Sequence, residues 1–94
     1  MICHVVMWKL KDGRDEIVQT MKKELEQLPG QIPGLLSLEV GIDHKDSHNV
    51  VLISKHESWD ALELYANHPL HVAAADTYVR PYIDQRQAVN YEIK

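Results

Sequence analysis

The side chains best suited to chemistry in this sequence are histidines and one tyrosine in the second half of the chain. The segment Tyr65-Ala66-Asn67-His68-Pro69-Leu70-His71 has the spacing Tyr-x-x-His-Pro-x-His. A further histidine, His4, lies in the apolar segment at the start of the chain. A neutral imidazole can remove a proton next to a carbonyl group, and a phenol can donate a hydrogen bond to the oxygen on which negative charge develops. These residue types are therefore suited to general acid–base chemistry.

The same histidines raise a second possibility, a metal site. His4, His68 and His71 could supply three imidazoles and leave an open position for water. However, an i, i+3 histidine pair that straddles a helix start does not place both rings on one face as an HExxH motif does, and no carboxylate has metal-site spacing beside it. The single cysteine, Cys3, forms no thiolate cluster, and there is no glycine-rich phosphate loop. We therefore expect no metal and no organic cofactor.

Composition argues against nucleic acid and membranes as partners. The chain has 14 acidic and 10 basic residues, a formal net charge of −4, and no basic stripe that could neutralise phosphates. Its apolar stretches are far shorter than the ~18–20 residues of a membrane span, and no signal-peptide pattern precedes the first strand. The length of 94 residues fits one domain, which we place at residues 1–94. We expect a cytoplasmic protein.

Hydrophobic periodicity predicts a strand and then a helix in the first third of the chain. Residues 2–10 are apolar at nearly every position, which is typical of a strand buried on both faces. A turn at Asp12-Gly13 ends this strand. The helix that follows is predicted to stop at Pro29-Gly30. Its apolar face comprises Ile17, Met21, Leu25 and Leu28.

The rest of the chain reads as two strands, two helical segments and a last strand. Alternating patterns predict strands over residues 36–42, 49–55 and 87–94, with a polar loop over 43–48. Ser58 is the expected N-cap of a helix that runs through Tyr65. Because proline is favourable at the first position of a helix, His68 is expected to cap a second, short helix that begins at Pro69 and is closed by Pro81. The predicted order is β-α-β-β-α-β.

The first strand predicts a dimer as well as a sheet. Helices returning on one side would cover the face that carries His4 and Trp8. The other face carries Cys3, Val5 and Met7 and would expose a large apolar patch, which is typical of an interface. A symmetric partner that places its own sheet there forms an isologous contact and an eight-stranded, barrel-like core. We therefore predict a homodimer whose interface includes those three residues.

Three segments together resemble the stress-responsive A/B-barrel (Dabb) family. They are the opening residues 1–6, the turn Ile32-Pro33-Gly34-Leu35, and the Tyr-x-x-His-Pro-x-His segment. The resemblance spans almost the whole chain. It implies an α+β, ferredoxin-like β-α-β-β-α-β fold, with an antiparallel sheet, helices on one face, and dimerisation into an α+β barrel.

The resemblance also implies roles for individual residues. A plant cyclase of this family closes a linear polyketide thioester by aldol condensation. Its catalytic histidine falls on His71, its catalytic tyrosine on Tyr65, and its N-terminal pocket histidine on His4. A further pocket histidine of the cyclase falls on Val50, so the pocket here has a different polarity.

The chemistry of these residue types fits such roles. If Pro69 begins a helix, His71 lies in its first turn, where the helix dipole disfavours the imidazolium form. A neutral His71 could act as base, with Tyr65 and His4 as hydrogen-bond donors. The remaining pocket residues in this prediction are Trp8, Val50 and His68.

Each of these residues also has a purely structural interpretation. His68 could be only a helix cap, Tyr65 a core residue with its hydroxyl at the rim, and His4 a core histidine bonded to a backbone carbonyl. The other histidines are predicted to lie at the surface, in a loop or at a strand edge: His44, His48 and His56. Two functions therefore remain open. One is a cofactor-free lyase or cyclase acting on a small hydrophobic carbonyl compound, and the other is a non-catalytic small-molecule-binding or stress-response dimer. No residue pattern supports an oxygenase.

Overall fold

The computed structural model describes residues 1–11 and 16–93 and shows one antiparallel sheet with helices on one face. Its strands are β1 (Ile2–Leu10), β2 (Leu35–Ile42), β3 (Asn49–His56) and β4 (Ile83–Glu92). Its helices are α1 (Ile17–Leu25), α2 (Trp59–Asn67) and α3 (Pro69–Tyr78), followed by a 3₁₀ turn at Arg80–Tyr82. The strand order is β2-β3-β1-β4. The predicted ferredoxin-like fold is thus confirmed, with the second helix in two pieces.

The two faces of β1 differ in burial as the alternation of its residues predicts. Val6 and Trp8 are buried, and they belong to one hydrophobic core with Met21 of α1 and Tyr65 of α2. The residues that alternate with Val6 and Trp8 along β1 face the other side of the sheet. Met7, which lies between these two residues, is 49% exposed. Because a strand turns successive side chains to opposite faces, the helix-covered face of β1 is the one that carries His4.

The break between α2 and α3 is made by local side-chain caps. Ser58 Oγ accepts a hydrogen bond from the Ala61 N–H at 3.1 Å, and His68 Nδ1 accepts one from the Leu70 N–H at 3.1 Å. His68 itself is extended, with ψ of 135°, as steric conflict with the ring of Pro69 requires. Both predicted caps are confirmed. The break turns the chain between Tyr65 and His71, so that α3 approaches the same part of the sheet from another direction.

Two predicted boundaries are wrong by a few residues. Helix α1 ends at Leu25 rather than near Pro29, although Leu28 is buried beyond it. Strand β4 begins at Ile83, before the alternating pattern that starts at Gln87. After Ile83, which packs against the core, its first residues are polar and exposed, so pairing with β1 and not burial defines this edge strand. The turn predicted at Asp12-Gly13 lies outside the described residues.

The opposite edge of the sheet is closed by two side chains from the end of α1. Glu26 Oε2 accepts a hydrogen bond from the Val40 N–H at 3.0 Å, and Lys22 Nζ donates to the Val40 carbonyl at 2.8 Å. Desolvation disfavours the charged form of Glu26, but the hydrogen bonds from Lys22 and from Val40 outweigh it and lower the pKa of this carboxyl. Both outward backbone groups of Val40 are thereby satisfied, which protects an exposed edge from pairing with another chain.

Candidate active site

The strand register brings polar side chains together under the helices. His4 on β1 lies opposite Ser54 on β3 and opposite Asn90 on β4, so all three share the helix-covered face. His56 follows Ser54 by two residues and therefore points to the same face. The Nδ1 atom of His4 is hydrogen-bonded to Asn90 Oδ1. Because an amide oxygen only accepts, neutral His4 carries its proton on Nδ1, and its Nε2 is an acceptor.

Tyr65 of α2 lies at the centre of this group. Its side chain is only 2% exposed. Its ring centroid is 4.1 Å from that of His71, 4.9 Å from that of His56 and 6.2 Å from that of His4. Burial raises the pKa of Tyr65 above its usual range, so the hydroxyl keeps its proton at neutral pH. Tyr65 is therefore suited to donate a hydrogen bond, and its ring lies beside all three histidine rings.

His71 reaches Tyr65 from the first turn of α3, as predicted. Its Nδ1 lies 3.2 Å from the Ala66 carbonyl oxygen. Because a carbonyl can only accept, Nδ1 carries the proton in the neutral ring and Nε2 has a free lone pair. Burial lowers the pKa of His71, with smaller contributions from Arg80, His4 and Arg86, against an opposing effect of the hydrogen bond to Ala66. The sequence pattern led us to expect that the helix dipole keeps His71 neutral, but the largest cause of its lowered pKa is burial.

The prediction for His56 is wrong, because this residue is fully buried and not at the surface. Strand β3 extends one residue further than the sequence pattern indicated, and its alternation turns His56 inward beside Tyr65. Its Nε2 is hydrogen-bonded to Ser54 Oγ at 2.8 Å, whereas its Nδ1 has no hydrogen-bond partner among the described residues. Burial lowers the pKa of His56 to about 4, and the nearby His4 and His71 add to this effect. His56 is thus a neutral, buried imidazole that supports Tyr65.

A partly enclosed cavity of about 150 Å³ lies between the sheet and α3, and His4, Tyr65 and His71 all line it. Its apolar walls include Val6, Trp8, Leu25, Leu52, Leu62 and Val79. The Nε1–H group of Trp8 is buried and has no hydrogen-bond partner within residues 1–11 and 16–93. A dry cavity of about this volume accommodates one benzene molecule. The cavity is therefore large enough for a ring-sized ligand.

The structure does not place all of the predicted pocket residues at this cavity. Trp8 lines it, but Val50, a buried core residue opposite Trp8 on β3, lies outside the lining, and His68 caps α3 instead. His68 caps α3 and does not line the cavity, so it does not form the possible three-histidine metal site with His4 and His71. Within the described part of the chain, no three histidine, cysteine, aspartate or glutamate side chains form a group that could hold a metal ion.

Two residues that the sequence reasoning missed, Arg86 and Asn90, lie at the site because of β4. Asn90 holds His4, and Arg86 lines the cavity. Arg86 precedes the alternating apolar residues of this edge strand, and Asn90 lies between two of them. Composition alone therefore does not distinguish these two residues from ordinary solvated surface residues. Only the pairing of β4 with β1 could have indicated them, since it sets Asn90 opposite His4 and Arg86 opposite Trp8.

The fold and the site define a ferredoxin-like α+β domain with a histidine- and tyrosine-lined cavity beneath its helices. The chain belongs to the stress responsive A/B barrel domain family (Dabb), whose family model matches residues 2–93. No curated protein sequence matches it. In the described residues, no helix is long and apolar enough to cross a membrane.

Solved structures with the same fold include two that are described as dimeric. A dimeric ferredoxin-like protein of unknown function from Bacteroides fragilis is 29% identical, with a TM-score of 0.86 and coverage of 98% of this chain and 95% of that one. A dimeric ferredoxin-like protein of unknown function from Thermobifida fusca is 24% identical, with a TM-score of 0.84 and coverage of 98% and 90%. SnoaB, a cofactor-independent oxygenase from Streptomyces nogalater, is 13% identical, with a TM-score of 0.83 and coverage of 99% and 92%. At such identities the last two comparisons show the fold alone.

Proposed function

We propose that this protein is a homodimeric, cofactor-free lyase or cyclase that acts on a small carbonyl compound, with His71 as the base. One observation carries the proposal. The hydrogen bond from His71 Nδ1 to the Ala66 carbonyl leaves Nε2 unprotonated at the wall of a cavity that also contains the Tyr65 ring. Because burial lowers the pKa of His71, the base is in its active form at neutral pH.

The proposed reaction begins with proton removal. His71 Nε2 takes a proton from the carbon next to the carbonyl, and the electron pair of that C–H bond moves onto the carbonyl oxygen as an enolate. Tyr65 donates a hydrogen bond to this oxygen. In a cyclisation, the enolate carbon then attacks a second carbonyl of the same molecule, and the imidazolium of His71 returns its proton to the new alkoxide. Atoms and charges balance without a metal or a redox cofactor.

The second hydrogen-bond donor in this proposal differs from the one expected from the sequence. His4 was expected to donate, but its bond to Asn90 makes Nε2 an acceptor. Burial lowers the pKa of His4 and so keeps it neutral, against the opposing effect of the Asn90 hydrogen bond. We assign the second donor to Trp8, a residue of the cavity lining whose Nε1–H is buried and has no hydrogen-bond partner among the described residues. His4 is then suited to accept a hydrogen bond from a hydroxyl group of the ligand.

The dimer part of the proposal rests on the uncovered face of the sheet. Cys3, Val5 and Met7 were expected at the interface, but Cys3 is only 3% exposed within one chain. The exposed apolar surface comes instead from Met7 with Val89 and Tyr91 of β4, which are 51% and 49% exposed. An open concavity on this face runs past Met7. Dimers among the similar structures support the idea that a second copy covers it.

Hydrogen–deuterium exchange at the carbon next to a carbonyl tests the proposal directly. The protein is mixed with acetophenone or phenylpyruvate in D₂O, and loss of the α-proton signal is followed by NMR. We expect protein-dependent exchange that His71→Ala abolishes while the fold is retained by circular dichroism. His44→Ala, a matched change in the β2–β3 loop, should leave the rate unchanged. If small carbonyl compounds bind and no exchange is detected, the non-catalytic small-molecule-binding or stress-response dimer replaces the enzyme.

A further inference from the structure

Two arginines, Arg80 and Arg86, line the cavity, and they differ in whether the guanidinium group has an acidic partner. Arg80, in the 3₁₀ turn after α3, pairs with Asp76 at 2.8 Å. Arg86 of β4 forms no hydrogen bond or ion pair with any residue that the structure describes. The guanidinium group of Arg86 is therefore the uncompensated positive charge at the cavity.

The register of β4 explains why Arg86 faces this site. Arg86 lies directly opposite Trp8 on β1, and Asn90, on the same face four residues later, lies opposite His4. Arg86 is exposed on the edge strand β4, yet its side chain reaches the cavity lining. Its charge acts on three groups of the cavity: it contributes to the lowered pKa values of His4 and His71, and it opposes the rise that burial causes in the pKa of Tyr65. A solvent-facing arginine at the mouth of an apolar cavity is suited to hold an anion without burying an unpaired charge.

The size of the cavity limits what else the ligand can contain. About 150 Å³ is well below the ~300–1,000 Å³ of pockets for drug-sized molecules and matches one aromatic ring or a short chain. A long polyketide chain of the kind used by the plant cyclase would not be enclosed by this single chain. The ligand that fits has a ring-sized apolar part inside and its charged group at the mouth.

We infer that the ligand of this site is a compact carbonyl compound with a carboxylate, whose carboxylate pairs with Arg86 while its apolar part occupies the cavity beside Tyr65 and His71. This inference rests on the cavity assigned in the proposed function and adds the class of substrate. A guanidinium group binds a carboxylate through two parallel hydrogen bonds, which a neutral amide of the same shape cannot reproduce.

The test uses two ligands of nearly equal shape that cannot react. Benzoylformate and its neutral amide both carry a ketone and a ring, and neither has a hydrogen on the carbon next to the ketone, so binding is measured without proton removal. Dissociation constants are obtained by NMR titration of wild-type protein at low salt. We expect benzoylformate to bind at least about tenfold more tightly than the amide, as one charge-assisted bond predicts, and the ratio to fall with added salt.

Arginine variants assign the preference to one residue. Arg86→Gln should bring the ratio close to one, and Arg86→Lys should retain part of it. Arg80→Gln, at the other cavity arginine, should keep most of it because Arg80 is already paired with Asp76. Equal binding of the two ligands by wild-type protein, no binding of either, or a preference that survives Arg86→Gln would each overturn the inference. His71-dependent exchange of acetophenone together with equal binding would leave the proposed function standing without this substrate class.

Discussion

Replacement of Tyr65 by phenylalanine separates the chemical role of this residue from its packing role. The substitution removes one oxygen and keeps the ring, whose centroid lies 4.1 Å from that of His71 and 4.9 Å from that of His56. If the hydroxyl donates to the enolate oxygen, its loss should lower the rate of α-proton exchange by roughly 10²–10³, the usual cost of losing one oxyanion donor. Stability should change by no more than about 1 kcal/mol, because the ring still fills its place.

Tyr65→Ala is the matched packing control. It deletes a buried ring at the centre of the site and should cost about 3–5 kcal/mol of unfolding free energy, measured in urea. The pH profile is an independent test: since the pKa of His71 is lowered from 6.5, exchange by wild-type protein should be constant from neutral pH upwards and should decline only on acidification below the ordinary histidine pKa. An unchanged exchange rate in Tyr65→Phe, with activity that still depends on His71, would refute the donor role of the hydroxyl.

Three further outcomes follow from burial, backbone geometry and the uncovered sheet face. His56 binds a proton with a pKa of about 4 when folded and 6.5 when unfolded, so stability should be full above pH 6.5 and should fall by up to about 3 kcal/mol towards pH 4, a loss that His56→Phe removes. Gly34→Ala should destabilise the fold by several kcal/mol in urea, because Gly34 has φ of +83° and an added Cβ would lie 2.6 Å from that of Ala61. Val5→Lys should convert the proposed dimer to monomers in sedimentation experiments, or unfold it, by placing a charge on the apolar face.

Each of these outcomes has a matched control in the chain. His44→Phe, in an exposed loop, should leave the acid dependence of stability in place. Gly30 has a similar positive φ, of +89°, but no atom lies within 4 Å of an added Cβ. Gly30→Ala should therefore lower the free energy of unfolding only through backbone strain, and by less than Gly34→Ala does. Leu64→Lys, on an exposed part of α2, should leave the proposed dimer intact. A wild-type protein that sediments as a monomer at micromolar concentration would contradict the proposed interface.

Local patterns in the sequence were sufficient to predict the order of the elements and the burial of β1. The period of two in β1 separates the face of Trp8 from that of Met7, and this depends only on the geometry of a strand. The caps at Ser58 and His68 were predictable for the same reason, since each involves a backbone group within three residues. The approach of His71 to Tyr65 follows from that break, because the two residues are near neighbours along the chain.

The polarity and charge of the site were decided by tertiary structure. His56 looked like a surface residue because it borders a polar turn, and only the covering α2 makes its position buried. Arg86 and Asn90 come from a strand with little apolar pattern, and only pairing between residues more than 70 positions apart sets them opposite Trp8 and His4. Such pairing depends on the register of whole strands, which is set by the packing of the complete sheet and not by the neighbours of any one residue.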